Sequence, residues 1–200
     1  MAEAKVLVKG IHTMNESGEI RIASTCTLIK TDKNILVDTS SFHEKNELLA
    51  ALKKEGLAPE DIDMVVLTHL HLDHTVNVSL FTNACVLCKF REGYPGQMHF
   101  PSKGYIKRFE LTDGTEISKD VTVLETPGHT GDMISLVVNT KKGVVVIAGD
   151  AFSDETYLDL NKEPSPLLND VQKFNESRKK ILAIADYIVP GHGNMFKAKP

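Results

Sequence analysis

The stretch Thr68-His69-Leu70-His71-Leu72-Asp73-His74 places three imidazoles and one carboxylate within six positions, directly after the apolar run Met64-Val65-Val66-Leu67. A neutral imidazole offers one nitrogen lone pair and a carboxylate a charged oxygen, both good ligands for a zinc-like cation. On one metal these four groups would close the shell and leave no position for chemistry. Divided between two adjacent metals they form incomplete shells, which residues further along must complete. This reading predicts more His and Asp downstream, each at the end of an apolar strand.

The chain supplies them. Val121-Thr122-Val123-Leu124 leads into Thr126-Pro127-Gly128-His129-Thr130-Gly131, and Tyr187-Ile188-Val189 leads into Pro190-Gly191-His192-Gly193. In both, Pro ends the strand ladder, Gly permits a sharp turn, and a His is displayed at the tip. Val144-Val145-Val146-Ile147-Ala148 runs into Gly149-Asp150, a carboxylate at the same kind of terminus. Five of the eight histidines stand in metal-ligand contexts, and His12, His43 and His99 are assigned no role.

Composition narrows the class. A chain of 200 residues favours one domain spanning residues 1–200, large enough to bury roughly 70% of the surface its unfolded form exposes. With 42% hydrophobic and 25% charged residues it reads as a globular enzyme rather than a disordered chain. The formal charge of −4 gives no general attraction to nucleic acid or anionic lipid. No segment approaches the ~20 apolar residues of a membrane-spanning helix, and the N-terminus lacks a secretory pattern, so a cytoplasmic location is expected. Cys85-Val86-Leu87-Cys88 reads as two small apolar residues on opposite faces of a strand rather than a redox or zinc pair, because no second pair completes it.

Taken in order, residues 5–12 and 19–31 read as strands joined by a turn at Asn15-Glu16-Ser17-Gly18. Ile35-Leu36-Val37 is a buried strand, residues 44–55 a helix stopped by Gly56, and Ala58-Pro59-Glu60-Asp61 a short helical turn. Asp73 is placed to cap a helix running to Phe81. Strands are expected at 84–90, 121–125, 133–139 and 143–148, and a helix from Asn169 to Asp186 delivers strand 187–189. Residues 91–119, with a short strand at 106–111, and residues 151–166 read as long excursions. Two sheets with helices on their outer faces fit this order.

HxHxDH at 69–74, PGHT at 127–130, GD at 149–150 and GHG at 191–193 resemble, in that order, the metallo-β-lactamase-fold hydrolases. Spacing agrees: 55 residues from His74 to His129, 21 more to Asp150 and 42 more to His192. Residues 146–152, 177–182 and 185–193 look similar to one branch, the metallo-β-lactamase-domain-containing protein 1 group. The resemblance implies an α+β fold, a four-layer αββα sandwich, with two divalent metal ions between the sheet edges; zinc is favoured, with iron or manganese as alternatives. It gives one metal to His69, His71 and His129, the other to Asp73, His74 and His192, with Asp150 bridging. Asp38 resembles the aspartate that orients a ligating histidine, and Thr130 is a further supporting candidate.

The implied chemistry is hydrolysis of an ester, thioester, lactone or phosphodiester by a metal-bridging hydroxide, with Asp73 orienting it and passing on its proton. Asp150 stands where the β-lactamases proper carry Cys or Ser, which argues against antibiotic hydrolysis as the main activity. His71 in place of a carboxylate argues against the flavodiiron type. A chain ending eight residues after His192 is expected to lack the helical domain of the glyoxalase II type. The expected partner is a small-molecule substrate or nucleic acid, with a homodimer left open and no membrane. A nuclease acting on RNA or single-stranded DNA is the alternative, drawing on that branch and on Lys103, Tyr105, Lys107, Arg108 and Phe109, which interleave basic and aromatic residues. A non-catalytic metal-binding or partner-binding protein is the second alternative. Phe152 and Tyr157, leaving from Asp150, are candidates for an apolar pocket wall, and Arg178-Lys179-Lys180 reads as a solvent-facing charged stripe.

Overall fold

The computed structural model describes residues 1–89, 98–99, 105–106, 111–162 and 168–199. The first half comprises β1 (Glu3–Val8), β2 (Ile11–Met14), β3 (Ile20–Ala23), β4 (Cys26–Lys30), β5 (Asn34–Val37), α1 (Lys45–Lys54), β6 (Met64–Val66), α2 (Leu72–Thr75) and β7 (Cys85–Leu87). The second comprises β8 (Met98–His99), β9 (Tyr105–Ile106), β10 (Glu116–Ser118), β11 (Val121–Glu125), β12 (Ile134–Thr140), β13 (Gly143–Gly149), α3 (Val171–Ile184), β14 (Tyr187–Pro190) and β15 (Phe196–Lys197). One sheet has the order β1-β4-β5-β6-β7-β9-β8, the other β10-β11-β12-β13-β14-β15, and β2–β3 is a separate two-stranded ribbon.

The apolar runs form strands because both faces of each sheet are covered. Along β5, Ile35 and Val37 face the opposite sheet while Leu36 faces outward; along β6, Met64 and Val66 face in and Val65 out. Val145 and Ile147 of β13 face in, and Val146 and Ala148 face out. This alternation, with apolar residues at every position, is what a sheet buried on both faces demands. Leu48 and Leu52 of α1 cover the outside of the first sheet, and Ile181 of α3 covers the second. The result is the expected αββα sandwich.

Several local expectations change. The predicted strands 5–12 and 19–31 are each broken, leaving the β2–β3 ribbon outside both sheets. Cys85 packs into the layer between the sheets and Cys88 into the outer layer, as alternation requires, so the two thiols do not converge. Asp73 does not cap a helix reaching Phe81. Instead α2 spans Leu72–Thr75 with His71 as N-cap, followed by a 3₁₀ turn at Val78–Leu80. The helix stops because the His74 carbonyl accepts from the Thr39 amide (2.7 Å) and the Thr39 hydroxyl (3.0 Å) rather than from the next turn. Lys103, Lys107, Arg108 and Phe109 lie outside the described residues, as does residue range 163–167, and of Tyr105 only the backbone strand is described.

Candidate metal centre

The loop after β6 is fixed before any metal ligand is considered. Asp38, at the end of the neighbouring strand β5, adopts a left-handed backbone (φ 56°), a conformation an L-residue holds only when its surroundings enforce it. Its Oδ1 accepts from the Thr68 amide (2.8 Å), and its Oδ2 accepts from the Thr68 hydroxyl (2.9 Å) and from His74 Nδ1 (2.8 Å). One buried carboxylate therefore clamps both ends of the 68–74 loop. With Nδ1 donating to Asp38, His74 turns a lone-pair Nε2 to the interior. His69 Nδ1 lies 3.0 Å from the Thr68 hydroxyl, so its Nε2 faces the same region.

His129 is carried by the turn after β11 and backed by α3. Gly128 (φ 138°) sits against Phe174, where a Cβ would stand 2.3 Å from the Phe174 backbone. The Asp170 amide donates to the Gly128 carbonyl (2.9 Å) and the Ser177 hydroxyl to that of Pro127 (2.8 Å), locking the turn. His192 follows β14, and its Nδ1 donates to the Ala23 carbonyl (2.9 Å), which again directs Nε2 inward. The Gly191 amide donates to the Phe152 carbonyl (2.9 Å) and the His192 amide to that of Ser153 (2.7 Å), tying this turn to the segment after Asp150.

The seven side chains meet in two groups. His69, His71, His129 and Asp150 bring one donor atom each within 4.8 Å of one another, and so do Asp73, His74 and His192. In the first group His71 Nδ1 lies 3.0 Å from His69 Nε2 and 3.1 Å from His129 Nε2, with Asp150 Oδ2 at 3.3 Å from His129 Nε2. In the second, His74 Nε2 lies 3.5 Å from Asp73 Oδ2 and 3.4 Å from Asp150 Oδ1, and His192 Nε2 lies 3.3 Å from Asp150 Oδ1. Asp150 thus faces both groups: Oδ1 lies near His74 and His192, and Oδ2 lies 3.3 Å from His129 Nε2 and 3.3 Å from His192 Nε2. Four ligands at zinc bond lengths of about 2.0–2.1 Å form a tetrahedron with edges of roughly 3.3 Å, and the observed separations fall around that value.

The donors fit a cation by charge as well as by distance. Asp73 Oδ2, His74 Nε2 and Asp150 Oδ1 are buried and lack hydrogen-bond partners. Three orphaned polar atoms in one place would be costly in an interior unless something positive satisfies them. Burial, helped by the neighbouring imidazoles, holds His69 well below the usual histidine range, and burial lowers His129 as well, so both are lone-pair donors at neutral pH. Burial opposes charge on His74, but the Asp38 and Asp150 carboxylates raise it well above its ordinary value. Burial likewise works against the Asp150 anion, and the facing His74 and His192 keep it well below the carboxylate range. Carboxylates placed beside these imidazoles favour a positive charge between the two groups.

Other assignments meet different fates. Thr130 offers its carbonyl to the Gly128 amide (2.9 Å), while its buried hydroxyl makes no hydrogen bond, so it orients none of the ligands. Phe152 is fully buried in the outer core beside Phe196 (6.3 Å between rings) and presents no wall to a substrate; its contribution is the backbone bond to Gly191. Tyr157 is half-buried, edge-on to Phe174 and capped by Lys162, which makes it an anchor of its own loop. Arg178 is not on a solvent face. It is fully buried and donates to the carbonyls of Tyr157 (2.8 Å), Asp159 (3.2 Å) and Leu160 (3.1 Å) and to Asn175 Oδ1 (2.7 Å).

Two features escape sequence reasoning. The base of the β2–β3 ribbon is bolted to the second donor group: the Ser24 amide donates to the Asp73 carbonyl (3.2 Å), the Thr25 amide to that of Gly191 (2.6 Å), and the Thr25 hydroxyl to that of Gly193 (2.9 Å). The exposed His12 of β2 stands with its ring 5.5 Å from that of His192. Between the ribbon and residues 41–43 and 72–76 runs a groove of about 1090 Å³, lined at one point by Asp73. The only local signal is the interruption at Gly10 and Ser24-Thr25, since these contacts join residues far apart in sequence.

Comparison with known proteins agrees with the geometry. The model of the metallo-beta-lactamase superfamily matches residues 21–192. A Xenopus laevis protein named metallo-beta-lactamase domain-containing protein 1 is 36% identical over 197 residues, covering 96% of this chain and 80% of that protein. The chain spans 59% of the length of the human protein of that name. A Methanocaldococcus jannaschii protein described as a probable metallo-hydrolase is 35% identical over 166 residues, covering 82% of this chain and 74% of its own. A solved structure from Thermotoga maritima, 22% identical, superposes with a TM-score of 0.76 over 98% of this chain and 99% of that one. Among the described residues no helix is long and apolar enough to cross a membrane. With its family model spanning all seven donor side chains and its fold shared with that structure, the chain belongs to the metallo-beta-lactamase superfamily of metal-dependent hydrolases.

Proposed function

We propose that this chain is a dinuclear hydrolase that uses two divalent metal ions, zinc by preference, to cleave an ester, thioester, lactone or phosphodiester bond. The observation that carries the reading is the convergence of seven donor side chains in two groups, with Asp150 facing both and three buried donor atoms otherwise unsatisfied. His69, His71 and His129 would hold one metal, and Asp73, His74 and His192 the other. When bound, the metals supply Lewis-acid polarisation of the scissile group and a water acidified for attack at neutral pH.

The protein's own groups do the positioning. Asp38 fixes the tautomer and ring of His74, and the Ala23 carbonyl does the same for His192, so both present Nε2 without rearrangement. Asp73 is half-buried where the groove meets the centre, placed to accept the proton of the attacking water and return it to the leaving group. His71 is exposed and His129 half-buried, so the first group is open for a scissile carbonyl or phosphoryl oxygen to approach.

The test is a panel of thioesters, lactones, carboxylic esters, phosphodiesters and β-lactams offered to protein purified without chelators. The expected result is turnover of at least one class that is abolished by chelation, regained with zinc, and lost in Asp73→Ala. Metal-replete protein inactive on the whole panel would favour a binding protein that keeps the fold without turnover.

A further inference from the structure

A second recess lies at the end of the sandwich opposite the metal centre. It has a volume of about 370 Å³ and is walled by Ala2, Ala4, Val145 and Tyr187, where β1, β13 and β14 begin. Extended chain from Val145 to Asp150 puts roughly 16 Å between this recess and the donor groups.

The recess opens on the layer between the sheets. Ala2 and Val145 belong to that core, and Ala4 and Tyr187 pack against it half-buried. Ala4 stands opposite Ile29 in the β1–β4 register, and Ala2 bridges to Thr140 of the other sheet. Two inward alanines on edge strand β1, where β4 and β5 carry Ile29 and Ile35, leave the space beside β14 unfilled. Native interiors close such voids, and recesses of about 300–1,000 Å³ with apolar walls and few polar groups hold small ligands.

Its mouth is positively charged. Lys141 and Lys142 stand exposed in the β12–β13 turn, with no ion-pair partner among the described residues. The turn is held by the Thr140 hydroxyl, which donates to the Gly143 carbonyl (2.7 Å) and accepts from the Lys142 amide (3.1 Å). The nearby carboxylates are directed elsewhere. Asp120 engages the Met1 ammonium (3.3 Å), Asp186 accepts from the Val144 amide (2.8 Å), and Glu3, alternating with the inward Ala2 and Ala4, lies on the outer face of its strand. An apolar interior beneath two unpaired ammonium groups suits an amphiphile with an anionic head.

We propose that this recess binds a small apolar carboxylate, a chain or ring of about eight carbons, with its head on Lys141 and Lys142 and its body against Ala4, Val145 and Tyr187. Its occupancy does not depend on turnover at the metal centre.

Octanoate, titrated into the full-length, metal-replete protein and followed by amide chemical shifts, tests it. A carboxylate is also a metal ligand, so the two sites are read apart: shifts on residues 1–4, 140–145 and 187 report the recess, and shifts on residues 69–74 and 192 the centre. From butanoate to octanoate the affinity of the recess should rise about three- to fourfold per methylene, as burial of each group from water requires. Octylamine, with the same chain and the opposite charge, should bind there about tenfold more weakly. Lys141→Ala combined with Lys142→Ala should weaken octanoate about five- to tenfold, as two exposed ion pairs allow. Ala4→Leu should fill the recess and abolish its shifts while those at the centre persist; if that variant does not fold, the lysine pair and octylamine still decide. Recess residues silent up to the solubility of octanoate would overturn the assignment. So would octylamine bound as tightly as octanoate, or an octanoate affinity unchanged in the double-lysine variant.

Discussion

The Asp150 carboxylate lies directly over the Cα of Gly191: a Cβ at position 191 would stand 1.8 Å from Asp150 Oδ1. The glycine of the second Pro-Gly-His turn is therefore demanded by the carboxylate it faces, beyond any need of the turn itself. Gly191→Ala is expected to push Asp150 from between the two donor groups. The cost in stability is about 1–3 kcal/mol, as for other overpacked sites, and metal bound per chain should fall with activity. Mass spectrometry of the purified variant reads the metal content directly. Wild-type content and stability would show that the carboxylate does not occupy that place.

Asp38 touches no donor atom of the centre but decides how His74 presents one. In Asp38→Asn the amide cannot accept from Thr68 and from His74 as the carboxylate does, so the imidazole loses its fixed tautomer. Metal affinity should weaken by about 10- to 100-fold, which competition against a fluorescent chelator measures. Unchanged affinity would mean that the loop holds His74 without help.

Arg178 closes the loop that leaves Asp150. Its four hydrogen bonds reach Tyr157, Asp159, Leu160 and Asn175, and its guanidinium lies 5.0 Å from the Phe174 ring centroid. Arg178→Met keeps the packing and removes the donors, at an expected loss of about 2–3 kcal/mol, since hydrogen bonds to charged groups are worth about 1.5–3 kcal/mol each and the freed carbonyls regain water. The melting temperature should fall by about 4–12 °C for a chain of this size, and protease cleavage should appear within residues 153–162. A variant as stable and as resistant as wild type would contradict the clamp.

The Arg21–Glu44 pair gives a pH dependence away from the metals. Burial acts against the Glu44 anion, but hydrogen bonds from Ser41 and Arg21 hold its pKa below the ordinary 4.5. A carboxyl with a lowered folded pKa contributes stability above its unfolded value and loses that contribution as pH falls through the folded value. Wild type should therefore exceed Glu44→Gln in stability at pH 7, with the gap closing below pH 4.5. Because Arg21 is 64% exposed, the gap should be at most about 1 kcal/mol. Denaturant melts of both proteins at pH 7 and pH 3.5 check it; a gap that widens in acid would reverse the sign.

The sandwich was legible because burial on both faces leaves unbroken apolar runs, Ile35–Val37 in β5, Met64–Val66 in β6 and Val144–Ala148 in β13, with His and Asp soon after each run stops. The seven donor side chains were legible for the same reason. What sequence could not show depends on contacts far along the chain. The break at Ser24-Thr25 exists because Thr25 serves Gly191 and Gly193, and His12 gains its place only through His192. Arg178 read as a surface charge because Lys179 and Lys180 follow it; its burial depends on carbonyls of a loop some 20 residues earlier, and |i−j| is 21 for Tyr157. Asp73 read as a helix cap because a local cap is the commonest use of an Asp before a helix, and here the carboxylate turns to the donor group instead.

The most direct measurement is anomalous diffraction from a crystal of zinc-loaded protein, collected on both sides of the zinc absorption edge. The account predicts two anomalous peaks per chain, one among His69, His71 and His129 and one among Asp73, His74 and His192, with Asp150 reaching both. A single peak, or zinc bound away from these residues, would contradict it.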